Sequence, residues 1–153
     1  MPDATKAGEL CSREVVVAER HLPLIKAAQL MGESHVGCLV IVEENVAGRR
    51  VVGMLTDRDI VVAVVAEAVD VGKVRVQDVM SVDPVIVQED DPVRDVLGAM
   101  RRFGVRRLPV VTAEGALVGL VALDDVLPLL AGEMRSLAAT IETELFRELD
   151  RVT

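Results

Sequence analysis

Tryptophan and tyrosine are absent from this 153-residue chain, and phenylalanine occurs only twice. Single-stranded nucleic acid is held largely by bases stacked on aromatic rings, and this chain lacks that platform. Positive charge is also in the minority. Seventeen Lys plus Arg stand against 25 Asp plus Glu, a formal net charge of −8. The mean field opposes a polyanion, so no nucleic-acid partner is expected. Arg101, Arg102, Arg106 and Arg107 crowd one short window, but they span a helix end and the next strand start, which prevents one long basic stripe. Uncharged runs such as Gly115 to Leu123 fall far short of the roughly 20 apolar residues a membrane span requires, so no membrane partner is expected. The opening MPDATKAGEL has no apolar stretch that would serve as a signal peptide. Cys11 and Cys38 are the only cysteines. With His21 and His35 they match no zinc spacing, so no metal is expected. Together these features imply a reduced, cytoplasmic protein. No nucleophile elbow and no GxGxxG loop occur, so the chain offers no constellation for catalysis.

What the chain does have is valine, thirty copies of it, within a hydrophobic content of 51%. A core so rich in β-branched residues favours buried strands. The length suits one compact domain or two small fused ones.

The sequence is also written twice. Arg13 to Val42 overlies Val82 to Val111 at a shift of 69, which brings Pro23 onto Pro92 and Met31 onto Met100. Val51 to Val61 overlies Leu117 to Leu127 at a shift of 66, which brings Gly53 onto Gly119 and Asp59 onto Asp125. The length difference falls in EENVAGRR against TAEGA, where turn chemistry tolerates it. Each copy reads as a short valine-rich strand (Val15 to Ala18; Val85 to Gln88), then a helix opened by Pro23 or Pro92. A hairpin follows (Leu39 to Val42 with Val51 to Leu55; Leu108 to Val111 with Leu117 to Val121), and then a second helix. Ile60 to Val69 is β-branched and reads locally as a strand. Its register partner and its polar start TDRD argue for a helix. Beyond Gly132, Met134, Leu137, Ile141, Leu145 and Leu149 recur with helical spacing, as on a helix that packs on the body or on a partner copy. The expected division is residues 8–72, 73–132 and a C-terminal amphipathic helix at 133–153.

Gly53-Met54-Leu55-Thr56-Asp57-Arg58-Asp59 runs from a strand end into a helix start, where free N–H groups and the helix dipole suit a phosphate. The Thr56 hydroxyl can donate to an anion or cap the helix. Asp59 can accept both hydroxyls of a ribose, and Arg58 can add a charge-assisted bond. An ordinary N-cap uses the same residues, so both readings stand at this level. The second copy keeps the acid as Asp125 but has Ala122 in place of the hydroxyl.

VGMLTDRDIV, DVMSVDPVIV and GVRRLPVV, set in this repeat, resemble the wording of a tandem pair of cystathionine-β-synthase (CBS) domains, a stand-alone Bateman module. The resemblance covers nearly the whole chain. It implies an α/β fold of two β-α-β-β-α units packed about a pseudo-twofold axis, with two clefts between them, and pairing into a homodimer. The clefts of such modules take adenosine-containing ligands: AMP, ADP, ATP, S-adenosylmethionine or NAD. No cofactor is required, and AMP or ATP stands first among the expected ligands. By the same resemblance Thr56 contacts phosphate or ribose, Asp59 clamps the ribose, and Arg106 and Arg107 reach phosphate. Val82, Asp83, Pro84 and Val85 border the adenine of one cleft, and Ser12 to Val15 that of the other. Asp125 serves the second cleft, expected to be the weaker for want of a hydroxyl at Ala122. The implied role is sensing and regulation of a protein the sequence does not name, not chemistry. A ligand-free module for dimerisation or protein interaction is the alternative.

Overall fold

The computed structural model describes residues 4–152, so Thr153, the last residue of the expected terminal helix, lies outside it. A short helix α1 (Ala7–Leu10) precedes β1 (Val17–Ala18), α2 (Leu24–Ser34), β2 (Cys38–Asn45) and β3 (Gly48–Thr56). Helix α3 (Asp57–Ile60) continues as a π-helical turn over Val61–Val65. The second half repeats the order: α4 (Val76–Val79), β4 (Ser81–Val82), β5 (Val87–Gln88), α5 (Val93–Phe103), β6 (Arg107–Val111), β7 (Leu117–Ala122) and α6 (Leu123–Val152). This is the expected pair of mixed α/β units.

In the first sheet β1 lies parallel to β2, β2 antiparallel to β3, and β4 antiparallel to β3, with Gly53 opposite Val82. In the second sheet β5, β6 and β7 repeat that order. The place of β4 is taken there by Ser12, whose N–H donates to Leu120 O (3.0 Å) and whose carbonyl accepts from Leu120 N (2.9 Å). Both hairpins slip register at the same repeat position, between Ile41 and Val42 and between Val110 and Val111.

Each sheet has its own core. Leu24, Ala27 and Met31 of α2 press on Leu39, Ile41 and Leu55 of the first sheet. Val96 and Met100 of α5 press on Leu108, Val110 and Val121 of the second. Burying one such leucine or valine contributes about 1.5–3 kcal/mol. The leading segments cross over. Ala7, Leu10 and Cys11 belong to the second core, and Val76, Val79 and Met80 to the first. Backbone bonds fix the exchange. Val93 N donates to Thr5 O (3.0 Å), and Val76 N donates to Leu22 O (2.9 Å).

Three local expectations change. The first hairpin is longer than Leu39 to Val42 with Val51 to Leu55, because paired strands run on to Asn45 and Gly48. Ala47 N donates to Asn45 Oδ1 (2.9 Å), and Gly48 sits at φ 122, a value that favours glycine. Secondly, Ile60 to Val69 is helical only in its first part. From Val61 it widens so that Ala66 N bonds Val61 O (2.8 Å), and Ala68 leaves the helix at φ 52. β-Branched side chains crowd the preceding turn of an α-helix, and a wider turn relieves them. Thirdly, α6 does not restart beyond Gly132 but runs unbroken from Leu123 to Val152, with Pro128 in its early turns.

Helices α2 and α5 end at equivalent positions in left-handed geometry, His35 at φ 54 and Gly104 at φ 64. Only glycine adopts that conformation without a Cβ penalty. His35→Gly is therefore expected to stabilise the fold by about 0.5–1 kcal/mol, less than the strain relieved because glycine also loosens the unfolded chain. Urea denaturation of the two proteins measures it, and an unchanged or lower midpoint would contradict this account of the cap.

Candidate functional site

The candidate site lies where the end of β3 meets the leading edge of the second unit. Thr56 leaves the strand and caps α3. Its N–H donates to Asp59 Oδ2 (2.9 Å), and Asp59 N–H donates to Thr56 Oγ1 (3.1 Å). The N-cap reading of these two residues is thus what the structure shows. The cap leaves the Thr56 hydroxyl proton and the second oxygen of Asp59 uncommitted, and these are the groups a ribose or phosphate would use. In the second unit Ala122 N donates to Asp125 Oδ2 (2.7 Å), so the carboxylate half of the cap is kept and the hydroxyl half is missing.

A cavity of about 580 Å³ opens beside the first cap. Eight of the expected residues line it: Thr56, Arg58, Asp59, Asp83, Pro84, Val85, Arg106 and Arg107. Two do not. Val82 is 65% exposed on β4, opposite Gly53, and lies outside the lining. Asp125 caps the other unit and is likewise not part of this cavity.

The cavity also takes residues outside those expected: Met54, Ser81, Phe103, Gly104, Val105 and Leu108. Met54 stands two residues before Thr56 on the same strand, so the period-2 alternation places it on the same face. Asp83 falls within the stretch expected beside the adenine, but its conformation carried no sequence signal. It adopts φ 45, uncommon for a non-glycine residue, and its N–H bonds Val52 O (3.2 Å). Strained backbone of this kind gathers at ligand sites, because the surrounding structure must hold it.

The same joint is built in both units. Asp57 N donates to Gly37 O (3.0 Å), and Leu123 N donates to Arg106 O (2.9 Å). Each bond ties the start of a strand to the start of the helix that follows the hairpin. Arg106 also reaches Asp124 Oδ1 at 3.7 Å, but both side chains are largely exposed and such a pair contributes little. The lining carries three arginines and two aspartates, an excess of one positive charge in a chain of −8. An anionic ligand is therefore favoured locally against the mean field. Cys38, the repeat partner of Arg107, is buried close to it, and burial pushes its thiol up to about 11 while the Arg107 guanidinium pulls the other way. A thiol so placed is protonated and unreactive at neutral pH. Arg101 and Arg102 end α5, and Arg102 stacks over Phe103 with its carbon 5.3 Å from the ring centre. Among the described residues no group of three or more His, Cys, Asp or Glu could hold a metal ion, and no helix is long and apolar enough to cross a membrane.

The chain matches the CBS domain family over residues 7–66 and again over 76–132. A Methanopyrus kandleri protein is 32% identical over 142 residues, which is 93% of this chain and 69% of that protein. The CBS domain pair of protein MJ0100, in complex with 5′-methylthioadenosine and S-adenosyl-L-methionine, superposes with a TM-score of 0.72 at 26% identity, covering 84% of this chain and 98% of that one. A Pyrobaculum aerophilum CBS domain protein complexed with AMP gives 0.71 at 28% identity over 79% of this chain and 89% of the other.

Proposed function

Since the chain belongs to the CBS domain family and carries two copies of the domain, we propose that it is a regulatory sensor that binds an adenosine-containing ligand in the Thr56/Asp59 cavity and catalyses no reaction. One observation carries this reading. Groups from both halves of the repeat, Thr56 and Asp59 from one and Val85, Arg106 and Arg107 from the other, meet around a single cavity of nucleotide-compatible size. Each group has a matching task. Asp59 accepts from the ribose hydroxyls, Thr56 donates to ribose or phosphate, and the arginines neutralise phosphate. The apolar wall of Met54, Pro84 and Val85 suits a flat base. Solved relatives in complex with AMP and with S-adenosyl-L-methionine support the ligand class. The positive excess in the lining favours AMP, ADP or ATP over the sulfonium cation S-adenosylmethionine.

A ligand acting on such a site does so by preferring the folded, joined arrangement of the two units. The ligand bridges them, so occupancy stiffens the joint that a regulated partner would read.

A ligand that binds only the folded state stabilises it by RT ln(1 + [L]/Kd), about 2.7 kcal/mol at a hundredfold excess over Kd. A thermal-shift panel of AMP, ADP, ATP, NAD and S-adenosylmethionine is expected to raise the melting temperature by several degrees for at least one phosphate-bearing nucleotide. A flat panel at millimolar ligand would replace this reading with that of a ligand-free interaction module, the alternative favoured by the missing hydroxyl at Ala122.

A further inference from the structure

A second cavity, of about 320 Å³, opens where the tips of the two hairpins meet. Arg50 and Ala116 pair there as an isolated antiparallel bridge, and a Cβ on Gly48 would stand 3.3 Å from that of Ala116. The tips are thus held against each other, and the space beside them is preformed. Its size is at the lower end for a small-molecule site. It shares Asp83 and Pro84 with the Thr56/Asp59 cavity and no other lining residue. Its polar groups are sorted by segment. The first hairpin brings donors. The Asn45 amide oxygen accepts from Ala47 N (2.9 Å), which leaves both amide N–H bonds to give. Arg50 stands directly opposite Glu43 in the strand ladder, yet Glu43 binds Arg20 (2.7 Å) and the neighbouring Glu44 binds Arg49 (3.3 Å). Arg50 is left without an acidic partner among the described residues. The other segments bring acceptors: Asp83 before β5 and Glu114 in the second hairpin. Neither carboxylate is hydrogen-bonded or ion-paired to a described residue. Val51, Pro84, Ile86 and Val111 complete the lining with an apolar wall.

We propose that this cavity binds a free aliphatic α-amino acid. The ligand carboxylate lies on Arg50 and the Asn45 amide, its ammonium between Asp83 and Glu114, and its side chain on the apolar wall. Opposite charges that line one small cavity without pairing leave room for a ligand that carries both. Simpler ligands use only part of the lining. A phosphate meets two carboxylates, a bare cation meets the Arg50 guanidinium, and a hydrocarbon satisfies none of the charged groups. The assignment also gives Asp83 a task. In the Thr56/Asp59 cavity the ribose is already served by Asp59, and a second carboxylate there would repel a phosphate. Beside an ammonium the same carboxylate is matched. The site does not depend on what the Thr56/Asp59 cavity holds.

Amide NMR titration of the full chain, with no nucleotide present, tests this. Leucine, isoleucine, valine and methionine are each added to about 20 mM, above the roughly millimolar Kd that a few solvent-facing charged contacts allow. The expected result is saturable shifts at the amides of Val51, Ile86 and Gly115 with at least one of the four. Analogues of that amino acid lacking the ammonium or the carboxylate should bind about tenfold more weakly. Arg50→Gln and Glu114→Gln should each cost about tenfold in affinity with the fold intact, since both residues are exposed and make no side-chain bond in the chain. No saturable shift with any of the four, shifts confined to the Thr56/Asp59 cavity, or affinity unchanged by both replacements overturns the proposal. None of these results touches the nucleotide reading, because Arg50 and Glu114 lie outside the Thr56/Asp59 lining and the thermal-shift panel decides that reading by itself.

Discussion

Asp59→Ala is expected to weaken nucleotide binding about a hundredfold or more, whereas Asp125→Ala leaves the first cavity's affinity within a few-fold. A hydrogen bond to a charged group contributes about 1.5–3 kcal/mol, and a carboxylate clamping both ribose hydroxyls makes two. Two at the low end amount to about 3 kcal/mol, and 1.4 kcal/mol is a factor of ten. Asp59 also closes the cap with Thr56, so the alanine variant loses roughly 1 kcal/mol of stability as well. Asp59→Asn separates the two roles. Its amide oxygen still accepts from Thr56 N, which keeps the cap, while the charge is gone and the second polar atom only donates. Calorimetry on all three variants, with circular dichroism to verify folding, decides the matter. A larger loss for Asp125→Ala than for Asp59→Ala would place the principal site in the other cleft.

The largest loss of stability is expected at Gly53. A Cβ built there would meet Met80 Sδ at 2.7 Å and Ser81 O at 2.8 Å. The first is a flexible chain end, but the second is backbone of the strand paired with β3 and cannot give way without breaking that pairing. Overpacking of this kind costs about 1–3 kcal/mol and occasionally more, and the branched side chain of Gly53→Val should reach the upper end. Displacing Ser81 also moves Asp83 to Val85, which form one wall of the cavity, so nucleotide affinity should fall with stability. Gly32 supplies the contrast. It sits inside α2 with nothing within 4 Å of a built Cβ, and Gly32→Ala should stabilise by up to about 1 kcal/mol through helix propensity alone. Equal effects at the two glycines in urea denaturation would remove the steric account of Gly53.

The glycine that opens GMLTDRD thus has a steric reason, and the same reason recurs at Gly119, where a Cβ would lie 2.5 Å from Ser12 O. Much of the architecture was legible because it is written twice. An ambiguous segment such as Ile60 to Val69 could be read through its partner, and the helix was recovered against its own β-propensity. Its π-helical widening was not legible, since that follows from how five consecutive residues crowd one another in three dimensions. The conformation of Asp83 was not legible for a related reason. Its place in the cavity depends on a left-handed backbone that no residue pattern announces. The length of the first hairpin was misjudged because polar Glu43, Glu44, Arg49 and Arg50 look like a turn, although they pair across a solvent-facing ladder. Of the residues expected at a site, those at the cap and at the start of β6 line the cavity, and they could be named because helix starts and strand starts carry local chemical signals. Val82 belongs to the same segment as Ser81 and Asp83 but lies outside the lining, because the strand pleat points alternate residues to opposite faces.

The crossing of α1 and α4 has a consequence for how the chain can come apart. Residues 5–12 complete the second core and residues 74–80 complete the first. Neither half therefore possesses its own cover, although each possesses the three main strands of its own sheet. Melting one half strips apolar surface from the other, so the two should be lost in one all-or-none transition instead of in two steps. A chain severed near Asp70 would yield two pieces, each holding what the other lacks. Such pieces would be poor folders alone and good complements together. The covering of the second core also waits on a contact between residues more than eighty positions apart, Thr5 with Val93. Residues 5–12 are therefore among the last to find their place.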